Sequence, residues 1–199
     1  MKDLIEKWCK WFYSISKDTH PAITGNTDIN QTDPWFLVGS FGNIKLIKRK
    51  CVIPYGKSIF FPVLSKEDSF AEDTDLKTES ELVERCNTHM DSIISMDVIV
   101  DNVKIKPQRM CSDVFDLVYP LNNVYDVPAG KTRSVVDGYW VLLKLPVGSH
   151  EIHFTGICTS ETAVIKQERQ MEVFKEIWPV IEDNMFCLNI LYDLKVIQL

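Results

Sequence analysis

The chain has 199 residues, 45% of them hydrophobic and 25% charged, with a formal net charge of −6. That balance suits one globular domain whose core needs no metal or disulfide staple, and it excludes a disordered chain. The acidic balance argues against a general nucleic-acid binder, which needs a basic surface, and no apolar run is long enough to span a membrane.

In chain order, residues 3–16 read as an amphipathic helix, with Leu4, Ile5, Trp8, Trp11, Phe12 and Ile15 on one face. The polar face mixes Lys2, Lys7 and Lys10 with Asp3 and Glu6, which favours packing on the domain core over membrane adsorption. These charges also interrupt any signal-peptide core. Residues 17–34 are turn-rich, with His20-Pro21, Thr24-Gly25-Asn26 and Asp33-Pro34 as breaks. A β-rich block follows: Trp35–Val38, then Ile44–Ile53, then Ser58–Leu64. Within it, Lys45, Lys48, Arg49 and Lys50 read as a solvated strand edge, where lysine deters pairing.

Residues 65–77 are acidic and read as a solvated loop. Thr78–Ile94 is expected to be helical: Thr78 with Glu81 matches a capping box, and Leu82, Val83, Cys86, Met90 and Ile93 trace a face. Met96–Ile105 reads as a hairpin turned by Asp101-Asn102. Val135–Phe154 reads as a strand pair joined at Pro146–Ser149, with Tyr139, Val141, Leu143 and Leu145 on one face and His150, Ile152 and Phe154 sharing another. Residues 160–178 look helical up to Pro179, and Met185–Leu199 alternates as a last strand.

The expected fold is therefore mainly β: one domain, an antiparallel β-sandwich of jelly-roll or immunoglobulin-like type with an N-terminal helix and one or two peripheral helices. Its parts are a helix (1–16), a β-rich core (17–159), a helical insertion (160–183) and a final core strand (184–199). The cysteines Cys9, Cys51, Cys86, Cys111, Cys158 and Cys187 are scattered with no C-x-x-C pair, so reduced thiols and a soluble, cytoplasmic protein are expected.

The segments Trp35-Phe-Leu-Val-Gly39, Arg49-Lys-Cys-Val-Ile-Pro-Tyr-Gly-Lys57, Ile59-Phe-Phe-Pro62, Asp137-Gly-Tyr-Trp140 and Leu145-Pro-Val-Gly-Ser-His-Glu-Ile-His-Phe-Thr-Gly156 stand out. Together they resemble a family of small β-rich proteins with the pattern WFL-x-G…R-x-C-x-(V/I)-P-x-G-K-x-(I/L)-FFP…DGYW…L-x-x-G-x-H-x-I-x-F-x-G. The resemblance covers about residues 8–156 and the final strand. It implies a β-rich fold and no particular activity. Segment 160–183 departs from the pattern as an insertion.

Chemistry-bearing motifs are sparse. Cys86 and His89 lie three apart on a helix and face one way, whereas His150 and His153 on a strand face opposite ways, so no metal site and no cofactor are expected. The acidic segment with Glu67, Asp68, Glu72, Asp73 and Asp75 lacks the spacing of a calcium loop. No nucleophile elbow is present. The candidate ligand-binding residues are Asp137, Tyr139, Trp140 and His150, expected near the ends of two adjacent strands, with Arg49 and Lys57 flanking another strand around Gly56.

Three functions follow from this reading. The favoured one is a non-catalytic binding or interaction domain with a small polar or sugar-like ligand at that pocket, a protein partner or homo-oligomer being the other expected kind of partner. The second is a hydrolase or isomerase using His150 with a carboxylate such as Asp137. The third is an adaptor that docks through the aromatic helix, which requires Trp8, Trp11 and Phe12 to be exposed.

Overall fold

The first helix forms where the aromatic stripe lies. In the computed structural model, which describes residues 1–42, 45–159 and 185–198, α1 spans Lys2–Ser14. A 3-10 turn (Lys17–Thr19) and a one-turn helix α2 (Pro21–Thr24) follow, and Gly25 at φ 75° ends α2. The strands are β1 (Trp35–Phe36), β2 (Ile47–Pro54), β3 (Ile59–Ser69), β4 (Ile93–Val100), β5 (Val103–Lys104), β6 (Gln108–Cys111), β7 (Phe115–Tyr119), β8 (Gly130–Leu143), β9 (Gly148–Thr159) and β10 (Met185–Ile197), with α3 (Glu79–Asp91) before β4. The helix expected at 160–178 lies outside the described residues.

The fold is mainly β and sandwich-like. One sheet runs β1-β3-β8-β6 with β7 also on β8, and the other runs β2-β10-β9-β4-β5. Most pairings are antiparallel, as expected, but the sheets are mixed: β1 lies parallel to β3 and β2 lies parallel to β10. Both parallel strands sit at sheet edges and precede a crossing between the sheets.

The expected β8–β9 pair is not formed. Strand β8 pairs with β3, β6 and β7, while β9 pairs with β10 and β4, so residues 144–147 carry the chain from one sheet to the other. Alternation reports which side chains share a face and says nothing about the partner strand. The face assignments themselves hold: Tyr139, Val141, Leu143 and Leu145 face the inter-sheet core with Ile152 and Phe154.

Strand β8 is buried on both faces. Its outer face, with Val136 and Trp140, receives Trp8, Phe12 and Phe60, and its inner face meets the second sheet and α3. The ring of Trp8 stacks on Phe12 at 4.7 Å and meets Trp140 edge-on at 5.6 Å, while Phe60 stacks on Trp140 at 5.2 Å. Trp8 and Trp11 donate their indole N–H groups to the Leu37 and Ile29 carbonyls, so these polar edges are satisfied as the rings are buried. Each such side chain contributes about 1.5–3 kcal/mol of apolar burial. Trp8, Trp11 and Phe12 are all buried, which removes the exposed docking stripe that the adaptor reading required.

Local signals were accurate elsewhere. Thr78 and Glu81 form the reciprocal capping box of α3. Asp101 and Asn102 both have positive φ (48° and 67°), as a two-residue hairpin turn requires.

Gly156 of β9 leaves no room for a side chain against the facing sheet. A Cβ there would lie 2.5 Å from Leu64 Cγ of β3. Gly156→Ala should cost about 1–3 kcal/mol in urea unfolding, the usual penalty of overpacking a filled core. In a Leu64→Ala background the added cost should largely vanish, a non-additivity that a double-mutant cycle reads directly.

Candidate functional site

The six candidate residues do not form one site. Asp137 is buried on β8, where Arg109 of β6 holds its Oδ2 through Nη2 at 2.8 Å and Nε at 3.0 Å. Its backbone N–H donates to Cys86 Sγ of α3 at 3.1 Å. Trp140 is a core side chain, its indole N–H donating to the Met110 carbonyl. Tyr139 packs half-buried against the inter-sheet core. These three residues build the scaffold.

Arg49 is buried too, so it leaves the solvated basic edge, while Lys48 and Lys50 stay exposed there as expected. Its Nη1 donates to the Val38 carbonyl and, at 3.1 Å, to the Tyr192 hydroxyl, and its Nη2 donates to the Ala22 carbonyl at 3.3 Å. The Tyr192 ring lies 5.7 Å from the guanidinium carbon.

His150 and Lys57 remain at one end of the sandwich. The β2–β3 turn (55–58), the β4–β5 turn (101–102) and the β8–β9 crossing (144–147) all lie at this end: Tyr55 N–H bonds the Ile197 carbonyl of β10, and Asp101 N–H bonds the Glu151 carbonyl of β9. His150 Nδ1 lies 2.6 Å from Asp101 Oδ2 and Nε2 lies 2.9 Å from the Pro146 carbonyl. Both partners are acceptors, so the geometry asks both ring nitrogens to donate, which is the imidazolium form. The Asp101 carboxylate is the leading cause that raises the His150 pKa above its ordinary 6.5, and the same hydrogen bond lowers that of Asp101. The carboxylate partner of His150 is thus Asp101, not Asp137, and neither ring nitrogen is left free to take a proton. His153 points to the other face, with Nε2 2.9 Å from Asn189 Oδ1.

Exposed apolar groups crown the same end. Tyr55 is 56% exposed and Val147 52%, with Leu142 beside them on β8. Lys57 and Lys144 make no ion pair among the described residues.

A second polar cluster was missed in the sequence. The acidic segment 65–77 is not a solvated loop: β3 runs through Ser69, and Glu67, Asp68 and Asp73 are buried. Asp68 meets His89 Nδ1 at 3.2 Å and Lys66 Nζ at 3.2 Å beneath α3. On the opposite face of the sheet the Tyr119 hydroxyl lies 3.1 Å from Glu67 Oε2 and 3.2 Å from Glu72 Oε1, and Ser134 donates to Glu67. The Tyr119 hydroxyl has one proton for the two acids, and the Lys66 ammonium also approaches Glu72, at 3.6 Å. Burial first, and the neighbouring Glu72 second, push the Glu67 pKa well above the ordinary range. The Cys86–His89 pair parts company, with Cys86 turned to the Lys66 carbonyl and His89 to Asp68. Among the described residues, no group of three or more His, Cys, Asp or Glu is placed to hold a metal ion.

Fold and site together define a β-sandwich-like domain with one pinned loop end. No protein-family model, curated protein or solved structure matches the chain.

Two pH predictions follow. The raised His150 pKa contributes stability that is complete below about pH 6.5 and is lost as the pH rises through the folded value. Asp101→Asn should flatten that part of the melting-temperature profile, which begins near pH 6.5. Glu67 acts in the opposite sense to an ordinary ion-paired carboxylate. The folded chain holds a proton that the unfolded chain releases near pH 4.5, so stability falls as pH rises past that point, at up to about 1.4 kcal/mol per pH unit. Glu67→Gln keeps the shape and removes the titration, and chemical denaturation at several pH values should show the slope gone.

Proposed function

We propose that this chain is a non-catalytic binding module that engages a small polar or sugar-like ligand at its loop end. The observation that carries the reading is the His150 clamp. It joins the β4–β5 turn to the β8–β9 crossing, at the end of the sandwich that also carries an exposed Tyr55 ring and two lysines without ion pairs among the described residues. A rigid frame bearing an aromatic platform and free hydrogen-bond donors suits polar rings, since little entropy is lost on binding. Tyr55 supplies the stacking face, and Lys57 and Lys144 supply donors.

An enzymatic role for His150 gains less support, because both ring nitrogens already face acceptors. Six unpaired cysteines suit a reducing compartment, so the proposal places the module in the cytoplasm. No helix among the described residues is long and apolar enough to cross a membrane.

The test is a thermal-shift screen of the purified chain against sugars, nucleotides and organic acids. One class should raise the melting temperature, and Tyr55→Ala should abolish that shift while leaving the unliganded melt unchanged. A ligand whose shift survives Tyr55→Ala and Lys57→Ala binds elsewhere and overturns the assignment.

A further inference from the structure

Sheet edges expose unpaired backbone groups, and proteins blunt them with charges, side-chain caps or short strands. Four edges here are blunted. The Gln31 amide caps β1, donating to the Phe36 carbonyl at 2.9 Å and accepting from the Phe36 N–H at 2.8 Å. Strand β2 presents Lys48 and Lys50, and Thr27 occupies the Lys50 carbonyl. Strand β5 is two residues long and ends on Lys104. On β6 the Met110 carbonyl is taken by Trp140 and Arg109 is held by Asp91 and Asp137.

Strand β7 is different. Among the described residues it pairs only with β8, and no other hydrogen bond there reaches the backbone of Phe115–Tyr119. Helix α1 packs on its Phe115, Leu117 and Tyr119 face. The other face shows Val118, 58% exposed, and Asp116. Asp116 is neutralised within its own chain by Lys131 and Arg133, so it does not repel a like surface. Beyond the strand, Leu121 is 95% exposed on a loop held in shape by Asn123, whose side chain bonds the Pro120 and Val127 carbonyls and the Tyr125 and Val127 N–H groups.

We propose that β7 is a self-association edge, occupied by β7 of a second copy of this chain in antiparallel register about a two-fold axis at Val118. An antiparallel edge is self-complementary: each strand offers the other the N–H and C=O groups it needs, and a two-fold places Val118 against its counterpart. The charge state fits, since the only ionised group on the exposed face of β7 is already paired. The inference is independent of the ligand reading. Strand β8 begins beside β7 and ends at the opposite, loop-bearing end of the sandwich.

Sedimentation equilibrium of the full chain tests it. The wild type should show a concentration-dependent monomer–dimer equilibrium. Val118→Lys should weaken it by more than roughly tenfold, because two like charges then meet across the axis. Val103→Lys, an equally exposed valine on β5, should leave it unchanged. Hydrogen exchange should show the outward-facing β7 amides, those not bonded to β8, protected only at dimer-forming concentrations. A wild type that stays monomeric, or a dimer that Val118→Lys and Val103→Lys affect alike, overturns the proposal. Ligand-induced thermal shifts in the Val118→Lys variant report separately on the loop end.

Discussion

The structure depends on a cation buried with no acid to meet it. Arg49 enters from β2, and a guanidinium keeps its charge in a protein interior. Among the described residues its acceptors are the carbonyls of Val38 and Ala22 and the hydroxyl of Tyr192, and its Nε has no partner. Each acceptor belongs to a different part of the chain: the exit of β1, the short α2, and β10. A charge so placed is tolerated only while all three hold position, since losing one leaves a buried charge undersolvated. Tyr192 does double duty, because its hydroxyl donates to the Val38 carbonyl at 2.9 Å and accepts from the Val38 N–H at 3.1 Å. This one knot fastens the second sheet to the first. It also marks His20: burial, aided by the nearby Arg49 charge, lowers the His20 pKa to about 4. The ring therefore stays neutral, donating from Nε2 to Phe12 and accepting at Nδ1 from Ala22.

Burial of β8 on both faces explains where the acids go. Strand β3 is its neighbour, so residues 65–69 are drawn between α1 on one side and α3 on the other, whatever their polarity. Acids in such a place must find partners or protons. Asp68, on the α3 side, finds Lys66 and His89, and Asp137 finds Arg109. Glu67, on the α1 side, takes the Ser134 hydroxyl and shares the Tyr119 hydroxyl with Glu72, and burial pushes its pKa well above the ordinary range.

What could be read from the sequence was local. The aromatic stripe of α1, the Thr78–Glu81 capping box and the Asp101-Asn102 turn each depend on residues within a turn or two of one another, and all three formed. What could not be read was set by partners far away. Asp101 lies 49 residues from His150, and Glu67 lies 52 from Tyr119, so neither pairing left a local trace. The acidic segment looked like a loop because polarity was its only local signal. Strand β7 is a different case: Phe115-Asp-Leu-Val-Tyr119 alternates plainly, and period two alone would have found it.

The pattern that carries the family resemblance now divides into scaffold and tip. Arg49, Cys51, Ile53, Asp137, Trp140, Ile152 and Phe154 are all buried, Gly138 and Gly156 sit where a Cβ would clash, and His150 pins two loops. These are residues that a fold needs regardless of what it binds. Tyr55 and Val147, two exposed apolar groups of the loop end, fall at positions the pattern leaves open: the x of P-x-G-K and the second x of L-x-x-G. A scaffold specified in detail and tips left free is the arrangement by which one framework presents different surfaces to different ligands. Within this chain, then, most residues of these motifs are accounted for by packing and hydrogen bonding within the fold.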